Sequence, residues 1–472
     1  MPIANWSSDS AFSDAEYLDL PAEWGSFVER YLNVLDGRAP MSGVLEVVAD
    51  SAPSRVLVER DYIDRDYRDE FANFYAQTFR HIPDRCQRLH FLDAESNRYY
   101  GFSVMRPIIG RPVCRTLLAP PPSLERFVSC TARSQPAPYG YRFTVDGFPF
   151  ISQDYQYGVC AHAAIWMVAH YFHLGFRLPR YQISDIVRAA SAHPEIDRAV
   201  PSTGLTHRQI SAVLQDFGMP AISYVLDEKG APEGLPDETV ETIACRYLNS
   251  GLPVMLLSQS HAKVLIGYGR EKGSDELFFV CHDDAKGPYR AIQGIKSLAD
   301  PLGTEDSSGA GDRRLVAPLP GRIYLAGEAA ERAARSFFRS QLNDRTELDD
   351  QRKLFEQGNL RLRTYVTEIA SYRRLLRSRG LPPGIAGLHA RMIASHWIWV
   401  TELQDCRLAD EGKSCVIGEL VVDSTSDDRT PHLLFANLPG ILMSWPEINS
   451  PGIGVKTEPY PPYETGCKIH IP

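Results

Sequence analysis

An α+β fold is what this sequence predicts, with helices segregated from strands in its central third. Three observations carry that reading. Between residues 160 and 249 apolar residues recur at helical spacing. From 253 to 280 the pattern becomes short apolar runs separated by turn residues. Strand and helix signals do not alternate between the two halves, so the pattern is segregated and not a chain of βαβ units.

The elements follow in order. Residues 65–82 read as a helix carrying Phe71, Phe74 and Phe79, and 89–92 and 99–105 read as strands. Ala119, Pro120, Pro121 and Pro122 break regular structure and mark a linker or rigid loop. In 160–172, Ala164, Met167, Val168 and Tyr171 make the stripe of a helix packed on a core. Residues 206–217 place Ile210, Val213, Leu214 and Phe217 on one face, with Thr206 as N-cap and Gly218 as stop. A third helix spans 237–249 and closes at Gly251. Strands are expected at 253–257, 262–268 and 277–280. A Gly/Ser/Asp-rich stretch at 303–313 reads as a flexible connector. From 326 the chain reads as charged helix through Arg377, stopped by Gly380, Pro382 and Pro383. A strand at 416–422 and an irregular tail from 446 complete the chain. These shifts divide it into an N-terminal α/β region (1–140), a central core (141–325) and a C-terminal helical and mixed region (326–472).

Composition bounds the function. The chain has 472 residues, enough for two to four domains at ~100–200 residues each. With 50 Lys and Arg against 59 Asp and Glu, the formal charge is −9, a poor footprint for sequence-independent nucleic-acid binding. Nine cysteines with no Cys-x-x-Cys pair argue for reduced thiols and against a disulfide framework or a zinc ribbon. The first twenty residues carry Asp9, Asp14, Glu16 and Asp19 and lack the basic start and apolar centre of a signal peptide. The longest apolar run near the middle, 163–169, is far short of the ~18 residues a membrane span needs. A soluble, cytoplasmic protein with no membrane partner is expected.

Gln153, Cys160, His261 and Asp283 form the sharpest chemical signal. A cysteine nucleophile acts as its thiolate, and a free thiol with pKa ~8.5 is mostly protonated at neutral pH. A helix N-terminus places partial positive charge beside its first residues, and Cys160 opens a helix. An imidazole would complete the ion pair. His261 opens the strand pattern Ala262 to Tyr268, where a histidine at the strand's edge can face a cleft. The next strand runs into Cys281, His282, Asp283 and Asp284, so two antiparallel neighbours bring Asp283 or Asp284 close to His261. A carboxylate there would orient the imidazole and stabilise its charged form.

In this order of residues the chain resembles the papain-like cysteine peptidases. The string His261 to Gly267-Tyr268, an apolar strand, then His282-Asp283-Asp284 is most similar to the bacterial C39-like branch. The resemblance spans about 145–292. It implies a papain-like core, with the helix bearing the nucleophile packed on an antiparallel sheet. It also implies Cys160 as nucleophile, His261 as general base and then acid, and Asp283 as its orienter. A glutamine shortly before the cysteine would donate to the oxyanion: Gln153, seven residues before Cys160, is preferred to Gln156, four before it. The sequence departs from the family where Ala161 replaces a frequent glycine and Asp284 replaces a frequent proline. The expected activity is a cysteine-dependent hydrolase, a peptidase acting on a protein or peptide substrate. The alternatives are a cysteine acyltransferase of the transglutaminase or phytochelatin-synthase kind, and a non-catalytic peptide-binding module.

Other candidates carry simpler readings. Two helical residues face different directions at i, i+2, so His162 is expected to be structural. His282 alternates away from Asp283 along a strand. Adjacent residues such as Cys281 to Asp284 rarely supply several ligands to one ion, so no metal and no cofactor is expected. Gly158 to His162 lacks the strand a nucleophile elbow needs, and Gly452 to Thr457 lacks the spacing of a phosphate loop. Trp166, Trp397 and Trp399 read as core or interface residues.

Overall fold

The structure is a computed structural model. It describes residues 16–20, 23, 25–27, 38–93, 95–108, 111–124, 128–193, 204–227, 230–258, 261–270, 277–293, 313–378, 383–410, 415–445 and 452–456. The chain forms two compact units, one of residues 1–234 with 253–319 and one of residues 235–252 with 320–472.

The first unit opens with β1 (Glu16–Asp19), α1 (Arg38–Ser51), β2 (Arg55–Tyr62) and α2 (Arg65–Asn73). There follow β3 (Cys86–Leu92), β4 (Tyr99–Met105), β5 (Val113–Leu118), β6 (Ala132–Ser134) and β7 (Val145–Phe150). These strands make one antiparallel sheet, ordered β1-β2-β3-β4-β5-β7-β6. Three helices come next: α3 (Cys160–Phe176), α4 (Ile183–Ser191) and α5 (His207–Asp216). After β8 (Ala221–Leu226) the chain enters α6 (Val240–Asn249), which belongs to the second unit. It returns through β9 (Val254–Leu257), β10 (Ala262–Arg270), β11 (Leu277–Asp283), β12 (Gly287–Gln293) and β13 (Arg313–Pro318). The second sheet is also antiparallel, ordered β12-β11-β10-β9-β13-β8. Helix α3 packs against β6 and β7 of the first sheet and β10 of the second. It is buried all round from Ala161 to Phe172, as a helix between two sheets is.

Helix α2 is shorter than the 65–82 its sequence suggests. Asp64 caps its start, accepting from the backbone N–H groups of Asp66 and Tyr67. At Phe74 the backbone leaves helical geometry (φ −136°, ψ −64°). The reason is tertiary: the Phe74 ring stacks on Tyr157 at 5.7 Å, the Tyr75 hydroxyl reaches Asp154, and Phe79 stands fully exposed. Thr206 caps α5, as its sequence suggests, and the structure adds a reciprocal box with Gln209. Residues 303–312, expected to be a flexible connector, lie outside the described residues, and Arg313 opens β13.

The second unit gathers α6, α7 (Gly327–Asp344), α8 (Asp349–Glu356), β14 (Leu360–Glu368), α9 (Ile369–Ser378) and α10 (Pro383–Arg391). Then come β15 (Trp397–Asp405), α11 (Cys406–Asp410), β16 (Val416–Asp423), β17 (Leu433–Leu438), β18 (Ile441–Ser444) and β19 (Ile453–Lys456). Its six strands form an antiparallel meander in sequence order. Two expectations fail here. The charged stretch to Arg377 is not continuous helix, because β14 interrupts it; its arginines are cross-strand partners, Arg363 of Glu402 and Arg361 of Gln404. The tail is not wholly irregular, since β19 pairs with β18. Its core gathers Tyr365, Tyr372, Ile398, Val400, Val421 and Phe435. Among the described residues, no helix is long and apolar enough to cross a membrane.

Candidate catalytic site

The site is built from three segments of the first unit: the loop before α3, the head of β10 and the turn after β11. Cys160 is the first residue of α3 and is partly exposed. The N-cap, Val159, is extended (φ −105°, ψ −179°) and its side chain makes no capping hydrogen bond. The positive end of the helix dipole therefore acts beside the thiol without a competing cap.

The loop before Cys160 is fastened from within and from behind. Asp154 Oδ1 accepts the backbone N–H groups of Gln156 at 3.0 Å, Tyr157 at 3.0 Å and Gly158 at 2.7 Å, and the Tyr75 hydroxyl donates to Oδ2. Arg106 donates to both oxygens of Glu70, at 3.1 and 2.9 Å, and to the Ser152 carbonyl at 2.9 Å. Burial pushes the Glu70 carboxyl up to about 8, against the pull of Arg106. This fully enclosed pair ties α2 and the first sheet to the loop that delivers the cysteine. Within that loop Gln153 is buried, whereas Gln156 is exposed. Tyr155 adopts the left-handed region (φ 61°), and its exposed ring lies 4.0 Å from the Arg111 guanidinium.

His261 precedes β10 and is held by Ser258, whose Oγ accepts its backbone N–H at 3.2 Å. Strands β10 and β11 run antiparallel, Val264 opposite His282, so the end of β11 meets the head of β10. There His261 Nε2 lies 2.9 Å from Asp283 Oδ1, and the imidazole also hydrogen bonds with Cys160. Burial alone would push the imidazole down. The hydrogen bonds with Asp283 and Cys160 and the charges of Asp284 and Asp283 reverse this and bring it to about 10. Burial likewise raises Asp283, but the His261 contact and the Lys263 ammonium, 3.5 Å from Oδ2, hold its carboxyl below the usual value. Asp283 is also a turn residue: its Oδ1 accepts from Ala285 N at 3.0 Å and Lys286 N at 3.3 Å. Asp284 Oδ1 stands 3.8 Å from His261 Nε2.

Cys160, His261 and Asp283 thus lie in one hydrogen-bonded row. His162 is fully buried in α3, and burial pushes its imidazole down to about 4. His282 turns away from the site, with Nδ1 3.2 Å from the Pro149 carbonyl and its ring edge-on to Phe148, Phe150 and Tyr289. Burial pushes the Cys281 thiol up to about 12. His261, Asp283 and Asp284 offer ligand atoms within 4.8 Å of one another, a spacing a cation could share, but Nε2 is already engaged by Asp283.

Several site residues escape the sequence reading. Tyr75, Glu70 and Arg106 lie far along the chain and leave no local signal. Asp154 was legible as a turn acceptor four residues before Gly158. Gly43 of α1 meets the Lys286–Gly287 backbone so closely that a Cβ there would strike the Lys286 carbonyl, while one on Gly287 would sit 2.7 Å from Gly43 Cα. This contact seats the turn that carries Asp283 and Asp284.

No protein-family model and no curated protein matches the chain. Solved structures match it in part. UfSP from C. elegans matches at 19% identity over 37% of this chain and 33% of its own, with a TM-score of 0.23. The peptidase domain of Streptococcus ComA, a bi-functional ABC transporter, matches at 11% identity over 34% of this chain and 90% of its own, TM-score 0.21. A double-glycine-motif protease from an AMS/PCAT transporter, in complex with its leader peptide, matches at 15% identity over 36% of this chain and 91% of its own, TM-score 0.21.

Proposed function

We propose that the chain is a cysteine-dependent hydrolase, most readily a peptidase. One observation supports this above the rest: a partly exposed cysteine at an uncapped helix start shares a hydrogen bond with a buried imidazole that a carboxylate also grips. In this reading Cys160 gives its proton to His261, and the thiolate attacks an amide carbonyl. The Cys160 backbone N–H and the Gln153 amide donate to the oxyanion. On collapse the C–N bond breaks and His261 returns the proton to the leaving amine. Water, deprotonated by His261, then hydrolyses the thioester. No metal or cofactor is invoked.

Iodoacetamide labelling at pH 5.5 and 7.5, mapped by mass spectrometry, tests the reading. Cys245, Cys406 and Cys415 are also partly exposed and serve as internal standards. Cys160 is expected to label about tenfold or more faster than these at pH 5.5, and to lose that advantage in His261→Ala. Equal labelling of all four in the wild-type protein would remove the hydrolase reading. A peptide retained intact by a protein with an activated Cys160 would instead favour a binding module.

A further inference from the structure

Asp284 is a carboxyl that the turn does not need. Its side chain is fully enclosed, and neither oxygen has a hydrogen-bond partner in another described residue. The turn's own N–H groups, from Ala285 and Lys286, go to Asp283. A buried carboxyl without partners is costly, so an acid retained there calls for a reason beyond the turn. The imidazole of the proposed site lies close by, with Oδ1 3.8 Å from His261 Nε2.

We propose that Asp284 is a second carboxyl partner of His261, a positioning residue that acts through the imidazole and sets how firmly it keeps its proton. The inference rests on the thiol-hydrolase reading of this site. The charges that act on Asp284 include His261 at the head of β10, Asp283 beside it and Arg111 between β4 and β5. Lys263 turns instead to Asp283 Oδ2. Burial pushes the Asp284 carboxyl up to about 7, with His261, the residue's own backbone N–H and Arg111 opposing the rise and Asp283 adding to it. Near neutral pH, then, Asp283 stays ionised while Asp284 gains or loses a proton. Once ionised, it holds His261 in the imidazolium form to higher pH. This prolongs the thiolate–imidazolium pair and makes His261 a more reluctant donor to the leaving amine.

The rate of Cys160 alkylation by iodoacetamide between pH 4 and pH 10 tests this in wild type, Asp284→Asn and Asp283→Asn. Loss of the His261 proton appears as the upper inflexion of the profile. In Asp284→Asn that inflexion is expected about one pH unit lower or more, the gap from wild type opening as pH approaches the inflexion. In Asp283→Asn reactivity is expected to fall across the whole range. Superposable profiles for wild type and Asp284→Asn would overturn the proposal. So would a loss in Asp284→Asn that is equal at all pH values, which marks a structural role. Asp284→Ala repeats the test if the Asn variant melts early. A wild-type Cys160 no faster than Cys245 would instead count against the hydrolase reading itself.

Discussion

One oxygen of Asp283 serves two purposes. Oδ1 closes the turn after β11 through two backbone N–H groups and also grips His261. The turn reading and the orienting reading of this residue are therefore the same geometry. The His261 contact has a definite pH signature. The folded imidazole is raised from 6.5 to about 10, so its contribution to stability is complete below pH 6.5 and drains away as pH rises through about 10. Asp283, held low, contributes above 3.8, and its share is lost as pH falls through its folded value. Both signs describe one contact, counted once. Unfolding free energies from urea titrations of wild type and His261→Gln should differ by a few kcal/mol at pH 6 and converge toward pH 10. A difference that stays constant from pH 6 to pH 10 would show that His261 contributes packing alone.

At the scale of elements, the site depends on segments far from Cys160 in the chain. The turn bearing Asp283 and Asp284 is seated on α1 through Gly43 and Gly287, where backbone meets backbone. Gly43→Ala must push the turn away or unseat the helix. It should cost about 1–3 kcal/mol and lower the pH 5.5 reactivity of Cys160. Gly175, in the last turns of α3 with open space around it, supplies the contrast: Gly175→Ala should gain up to about 1 kcal/mol with reactivity intact. Thermal melts paired with iodoacetamide labelling separate the two, and equal effects would deny the α1 contact any bearing on the site. This scale also explains what the sequence could show. Cys160 at a helix start and His261 at the head of a strand were legible because periodicity and turn residues are local. The choice between Asp283 and Asp284 was not, because both sit where β11 passes into a turn and its pairing with β12 slips between Cys281 and Asp283. Strand alternation cannot be carried across such a slip. The Tyr75–Asp154 and Glu70–Arg106 contacts join residues too distant for any local pattern, and β14 was read as helix because its arginines resemble a solvated helical face.

At the scale of the whole molecule, the chain does not finish one unit before starting the next. It leaves the first unit after Gly234, lays α6 into the second, and returns at Pro253 to build the strands that carry His261 and Asp283. Helix α6 is held by residues that come much later. Arg246 bridges Glu238 and Glu331, Tyr247 packs edge-on to Trp399, and Ser250 Oγ accepts the Val366 N–H at 2.8 Å. A protein cut after residue 325 keeps α6 and loses Glu331, Val366 and Trp399. Val240, Ile243, Tyr247 and Leu248, buried in the full chain, then lose their cover, at roughly 1.5–3 kcal/mol for each large side chain. A ten-residue helix without a partner is marginal in water. Fragment 1–325 should therefore be cleaved within 235–252 in limited proteolysis, where the full chain is protected. The cut falls only a few residues before the strand that leads to His261, so Cys160 reactivity should fall with it. A fragment that is monodisperse, protected at 240–249 and fully reactive at Cys160 would show that the site needs nothing from the residues after 325.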